Sequence, residues 1–175
     1  MVTPTRTEVY FDDNDLIVSK TNLKGYITYA NDTFLKIAGY EEDEVVGKPH
    51  NLIRHPDMPR AIFKLLWETI QTGTELFAYV KNMTKSGDYY WVIAHVTPTF
   101  DANGGIIGYH SNRRVPNRET IVAKVQPLYD ELLRLERSVP NDRDGLALST
   151  SHLVKVLADA GSEYDEFVAA LSRAA

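Results

Sequence analysis

The sequence predicts an α+β fold built on an antiparallel sheet. Three observations carry that expectation. Two short β-branched segments come first, at residues 16–20 and 25–30. Helical signals broken by glycines and prolines then fill residues 31–73. Three long aromatic and β-branched segments follow, separated by tight turns. Strands, helices and then strands in hairpin succession make a segregated α+β order, not alternating βαβ units.

Each element has its own signal. Residues 1–14 are polar and read as an N-terminal cap ending in a short helix. Leu16-Ile-Val-Ser-Lys20 suits a strand, Thr21-Asn-Leu-Lys-Gly25 a turn, and residues 25–30 a half-buried strand alternating Tyr26/Thr28 against Ile27/Tyr29. Asn31 or Asp32 can accept from the first free amides of a helix. Phe34, Leu35, Ile37 and Ala38 form its apolar stripe, and Gly39 stops it. Residues 41–46 give a second short helix. Pro49, Pro56 and Pro59 forbid a long helix between them, so Arg54, His55 and Asp57 sit on loops and single turns. Pro59 suits a helix's first turn; Ile62, Phe63, Leu65, Leu66 and Ile70 form that helix's buried face, and Gly73 ends it.

The long strands are residues 75–84, 89–100 and 106–115, joined by turns at 85–88 and 101–105. Residues 119–137 are good helix formers, with Pro127 expected to kink or split the run. Residues 138–145 read as a loop. Two amphipathic helices follow, 149–160 with Leu153, Val154, Val156 and Leu157 inward, and 162–174 with Tyr164, Phe167, Val168 and Leu171 inward. The organisation is thus a cap (1–14), a domain (15–118) and a C-terminal helical segment (119–175).

Composition bounds the function. At 175 residues the chain holds one domain with an appendage, or one larger domain. A net charge of −5 argues against nucleic-acid binding, which needs a basic face. No apolar run is long enough to span a membrane, and no signal sequence precedes the domain, which points to the cytoplasm. The absence of cysteine excludes disulfides, thiol catalysis and covalent cysteinyl chemistry. No glycine-rich phosphate loop, nucleophile elbow, kinase motif or metal-ligand histidine spacing occurs, so neither catalytic nor metal residues are expected.

Several constellations remain. Arg54, His55 and Asp57 are costly to bury unless paired. A phosphate-bearing ligand would account for the planar fork of Arg54, with Asp57 orienting it or accepting from a ribose hydroxyl. The alternative is a local salt bridge that stiffens a loop. Period-two counting places Asn82 on one face with Leu76, Ala78 and Val80, a wall apolar enough for a pocket; a bulge would undo that count. Phe34, Phe63, Trp67, Tyr79, Tyr90 and Trp91 supply either flat cofactor walls or simple core. His95 and His110 lie on neighbouring strands and could face one another. Asn112-Arg-Arg114 sends its arginines to opposite faces, as a docking surface or as solvated charge.

Three blocks carry a family resemblance: Tyr26-Ile-Thr-Tyr-Ala-Asn-Asp-Thr-Phe34, Pro49-His-Asn-Leu-Ile-Arg-His-Pro-Asp-Met-Pro59 and Val80-Lys-Asn-Met-Thr-Lys-Ser-Gly-Asp-Tyr-Tyr-Trp91. Over residues 14–120 the chain resembles PAS sensor domains, and the middle block resembles the flavin-binding PAS domain of bacterial aerotaxis receptors. The resemblance implies a five-stranded antiparallel sheet in the order 2-1-5-4-3, with short helices on one face. It also implies non-covalent FAD, with haem b as the alternative, and a sensor of redox or oxygen status that signals to a protein partner, with a homodimer plausible for the class. The cofactor residues it implies are Asn31, Phe34, Arg54, His55, Asp57, Phe63, Trp67, Asn82 and Trp91. Asn82 would meet the carbonyl and imide edge of the isoalloxazine. A ligand-free protein-interaction module is a further reading. One departure, Glu75-Leu-Phe-Ala-Tyr79 in place of a tryptophan followed by small residues, implies a reshaped pocket. The membrane anchor and long coiled coil of the receptors are also missing, which implies a stand-alone sensor or a fragment of something longer.

Overall fold

A computed structural model describes residues 2–162 and 164–173, with only the backbone path for residues 165 and 171–173. Five strands, β1 (Ile17–Asn22), β2 (Ile27–Ala30), β3 (Leu76–Met83), β4 (Tyr89–Phe100) and β5 (Ile106–Arg114), form one antiparallel sheet in the order β2-β1-β5-β4-β3. The hairpins β3–β4 and β4–β5 join neighbours, whereas β1 reaches β5 only through the long intervening segment. β3 and β4 pair without a slip, so the face count through Asn82 is valid. β1 and β2 do slip: Thr21 opposes Ile27 while Lys20 opposes Tyr29, leaving Thr28 as an extra residue. The expected alternation in β2 therefore fails, with Ile27 and Ala30 buried and Thr28 and Tyr29 exposed.

Between β2 and β3 lie α1 (Asp32–Ala38), α2 (Glu42–Val45), a 3₁₀ turn (His50–Ile53) and α3 (Arg60–Ile70). Asn31 caps α1, its Oδ1 accepting from Phe34 N at 3.0 Å, and Gly39 ends it in the left-handed conformation. The prolines confine residues 49–59 to the single turn, and Pro59 stands just outside α3 as its N-cap. Ile62, Leu66 and Ile70 of α3 are buried against the sheet's inner face.

Among the described residues, the N-terminal segment forms no helix. Residues 5–9 instead run beside the start of β4, with Val9 N donating to Tyr89 O at 2.7 Å and Tyr89 N to Thr7 O at 3.0 Å.

The C-terminal segment departs further from expectation. One helical run comprises α4 (Arg118–Thr120), a π-helical turn (Ile121–Val125) and α5 (Gln126–Glu136). Pro127 does not split it. The preceding turn is already widened, with Gln126 N donating to Ile121 O, so the missing proline N–H falls where the normal ladder is interrupted. The loop closes by Asn141, whose side chain caps α6 (Asp142–Ala160), and Gly145 therefore lies inside a helix. A Cβ there would sit 2.3 Å from Glu136 O, so glycine permits the close crossing of α5 and α6. Val154 points to solvent while Leu153 is buried. In α7 (Tyr164–Arg173), Tyr164 and Val168 are buried; the Leu171 side chain and Ala174 lie outside the described residues.

The hydrophobic core spans both faces of the sheet. On the inner face α1–α3 cover Ile17, Ala78, Val92 and Ala94. On the outer face Tyr129 packs on Trp91, and its hydroxyl donates to Tyr79 O of the edge strand at 2.6 Å. α7 rests on β3, and along the edge of that strand Arg54 bridges to Asn82 and Met58 Sδ accepts from Lys81 N.

Candidate ligand cavity

A cavity of about 360 Å³ lies between the inner sheet face, α3 and residues 49–54. One wall is aromatic. Trp67 of α3 meets Tyr109 of β5 edge-on, with centroids 5.5 Å apart. Phe63, one turn earlier, carries the Arg54 guanidinium 4.3 Å above its ring. Arg54 also donates to Met58 O at 3.1 Å, and burial pushes its proton affinity down. Gly25 supports Trp67 from below: its φ is +78°, and a Cβ would lie 3.0 Å from Trp67 Cη2.

The opposite wall is polar. Arg113 of β5 is 3% exposed, and its Nη2 donates to Ser19 Oγ and to His50 Nε2, each at 2.6 Å. Its guanidinium lies 5.6 Å from the Phe34 ring centre. Burial lowers Arg113 to about 10, which leaves it charged at neutral pH. Burial and then the Arg113 charge lower His50 to about 3, so His50 is neutral. Since Nε2 accepts, the His50 proton is assigned to Nδ1. Arg113 pairs with no carboxylate among the described residues, and its Nη1 is buried without a hydrogen-bond partner. Asn82, 3% exposed, likewise has an Nδ2 without a hydrogen bond of ordinary geometry, and the Tyr90 hydroxyl that its side chain approaches is unsatisfied in the same way. A buried donor without an acceptor carries a desolvation cost of about 1–3 kcal/mol, more when charged. Two such donors in residues lining one cavity fit a ligand that presents acceptors.

The fold brings together Arg54, Phe63, Trp67 and Asn82 of the residues expected at the site. The other five are not among those that line the cavity. Asn31 is consumed by structure: its Oδ1 accepts from Val18 N and Phe34 N, and its Nδ2 donates to Leu16 O, clamping α1 to β1. Phe34 stands behind Arg113 as core. His55 is buried against Tyr89, its Nδ1 accepting from Asp57 N, and burial lowers it to about 4. Asp57 does not orient Arg54; it pairs with Arg137 at 3.1 Å and Lys81 at 3.7 Å. Burial pushes the Asp57 carboxyl up, but the Arg137 hydrogen bond and the charges of Lys81 and His55 outweigh this and hold it below the ordinary range. Trp91 is on the outer face, against Tyr129.

Ser19, Tyr109 and Arg113 line the cavity and were not expected there; His50, near the expected pocket in sequence, lines it too. Arg113 had a signal: on a central strand, opposite-facing arginines put one of the pair inward, with Tyr109 and Ser111. Solvated charge describes Arg114 only. His95 and His110 do not pair: His95 opposes Asn112 and bonds Glu75 at 2.7 Å, while His110 bonds Asn112 at 3.0 Å. No cluster suited to a metal ion occurs among the described residues.

Comparison with known proteins places this geometry. Residues 27–113 match the PAS fold family. The aerotaxis receptor of Escherichia coli K12 is 46% identical over 120 residues, which is 69% of this chain and 23% of the receptor. The biofilm dispersion protein BdlA of Pseudomonas aeruginosa is 28% identical over 131 residues, 73% of this chain and 31% of that protein. The chain thus spans about a quarter to a third of the length of these two relatives. Among solved structures, the light-state LOV domain of the blue-light photoreceptor Aureochrome1 superposes with a TM-score of 0.57 at 23% identity, covering 63% of this chain and 89% of that one. A PAS domain from Colwellia psychrerythraea gives 0.53 at 19% identity, covering 57% and 85%. At these identities the structural likeness speaks for the fold alone. By family match, sequence relationship and strand order together, the chain belongs to the PAS family, with a PAS domain of the aerotaxis-receptor type.

Proposed function

We propose that this PAS domain is a sensor that holds FAD non-covalently in the cavity and reports redox or oxygen status to a protein partner. The observation that carries the reading is the pair of unsatisfied donors, Arg113 Nη1 and Asn82 Nδ2, on an aromatic-walled cavity. Its volume lies in the range of small-molecule sites, roughly 300–1,000 Å³. Trp67 and Phe63 would flank the ring system, and Asn82 and Arg113 would donate to its carbonyl edge. Arg54, with Lys24 and Lys64, would hold the phosphates. These three basic side chains favour FAD, whose pyrophosphate matches them. When bound, a flavin supplies reversible uptake of electrons and protons at its ring. The fixed Arg113 charge favours an electron-rich ligand edge, and Asn82 reports the change to β3, on which α7 rests.

His50 bears on the haem b alternative. It is a half-buried histidine of the wall, and its Nε2 is already engaged by Arg113 and Ser19. That arrangement favours flavin over a histidine-ligated haem. The interaction-module reading needs an open sheet face, and C-terminal helices cover part of the outer one. A second copy of the chain is the simplest partner to test, by sedimentation of the loaded protein.

The deciding experiment is an absorption spectrum of the purified chain, followed by chromatography of what a denaturant releases. A structured blue-region band that bleaches on reduction, with FAD released, supports the reading. A Soret band replaces it with haem. A sample that stays colourless after refolding with FAD overturns it.

A further inference from the structure

The segment from Arg54 to Ala61 has two sides. One faces the cavity: Arg54 lines it, and its backbone bridges to Asn82. The other is gripped by two consecutive residues at the end of α5. Arg137 Nη2 donates to Pro56 O at 3.3 Å and to Asp57 Oδ1 at 3.1 Å. Glu136, 6% exposed, accepts from Arg60 Nε at 3.2 Å and from Ala61 N at 3.0 Å, and Ser149 Oγ of α6 adds a third bond at 2.9 Å. Arg60 continues to Asp142 at 3.1 Å.

Ala61 N is a free donor in the first turn of α3. The local N-cap is Pro59, which offers no side-chain acceptor. The acceptor comes instead from Glu136, 75 residues along the chain and outside the PAS match. A helix's first-turn amides need such a partner. The helix so completed places Phe63 and Trp67 in the cavity wall. Burial weakens the hold of Arg54 on its proton, and the nearby Glu136 charge partly offsets this, so the carboxylate acts electrostatically at the cavity as well.

We propose that Glu136 and Arg137 form a latch joining the C-terminal helices to residues 54–61, so that filling the cavity and docking α5 and α6 are coupled. The latch acts through position: neither side chain lines the cavity. The reacting element is the helical pair α5–α6, which carries the acid and base of the latch at its turn. The ligand arm rests on the flavin reading above; the contacts of the latch do not.

The test uses the full chain, FAD as the probe, and the variants Glu136→Ala, Glu136→Gln and Arg137→Gln. Amide hydrogen exchange is read over residues 54–61 and 126–160, with and without FAD, alongside FAD affinity. Coupling is reciprocal and of the order of five- to tenfold or more. FAD should therefore raise protection over 126–160, and Glu136→Ala should weaken FAD binding about five- to tenfold. Glu136→Gln, which keeps an acceptor for Ala61 N, should recover part of that loss. If either the exchange or the affinity stays flat while FAD binds, the coupling is wrong. If the wild-type chain takes up no FAD, the flavin reading fails on its own. The latch is then judged on the ligand-free chain: faster exchange over 54–61 in Arg137→Gln supports it, and unchanged exchange overturns it. Arg137 is largely exposed, so this variant keeps the test valid should Glu136→Ala not fold.

Discussion

Arg113 Nη2 lies 2.6 Å from His50 Nε2, two basic side chains in contact within one cavity wall. They coexist because only one carries charge. The neutral imidazole serves as acceptor for the guanidinium, and Ser19 Oγ supplies the second acceptor. The remaining Nη1 is buried and has no hydrogen-bond partner.

Replacing Arg113 separates ligand binding from folding. In Arg113→Met the loss of an uncompensated buried charge offsets the loss of its two bonds, so ligand-free stability changes by less than about 1 kcal/mol. FAD affinity falls at least about tenfold, as expected for losing a charged hydrogen bond. Thermal unfolding of the ligand-free protein and an equilibrium FAD titration check the two halves.

Asn82→Ala behaves alike for a neutral donor. It removes an unsatisfied Nδ2, so the ligand-free chain is not greatly destabilised, while FAD affinity drops about tenfold. Full flavin occupancy in the purified variant would remove Asn82 from the site.

Stability should fall in mild acid. The ordinary histidine value is 6.5, and His50 stands at about 3 in the fold. Between these values the unfolded chain binds a proton that the folded chain refuses, so stability rises with pH and is lost as pH drops below 6.5. The slope for one such group approaches ~1.4 kcal/mol per pH unit. His55, lowered to about 4, acts with the same sign. Urea unfolding at pH 7, 6 and 5 measures the slope, and His50→Gln should remove roughly half of it.

Gly25→Ala tests how the aromatic wall is held. The position has φ +78°, and the new Cβ would press on Trp67 Cη2 and Cζ2. A left-handed alanine costs about 1–2 kcal/mol before any contact. Tryptophan emission should shift in the native state and the denaturation midpoint should fall.

Gly145→Ala tests the C-terminal docking. Its Cβ would meet the Glu136 backbone carbonyl, which has no flexible end to swing aside. Overpacking of this kind costs about 1–3 kcal/mol. Faster proteolysis within residues 138–160, with a lowered melting temperature, is the expected result.

The elements themselves were largely legible in the sequence. Asn31, Gly39 and the prolines of residues 49–59 act locally, so helix limits follow from nearby chemistry. The β3 face count held because no bulge interrupts its pairing with β4. It failed in β2, where the slip arises from the neighbouring strand. Gly145 read as loop because a glycine placed for helix crossing and one placed for a turn look alike until the partner helix is known.

What the sequence determined by itself was the order of elements, the sheet-forming segments and the motif blocks, all properties of residues close along the chain. Only the tertiary structure decided which polar groups face the cavity. Arg113 turns inward because its register sets it opposite Ile17 and Ala94 on the inner face, while Arg114 beside it is exposed. Asp57, next to the expected phosphate site, is drawn outward by Arg137, 80 residues away. Asn31 spends its amide on β1 and α1. A buried polar group must find its partners wherever the fold supplies them, and those partners are set by register and docking between segments far apart in the chain.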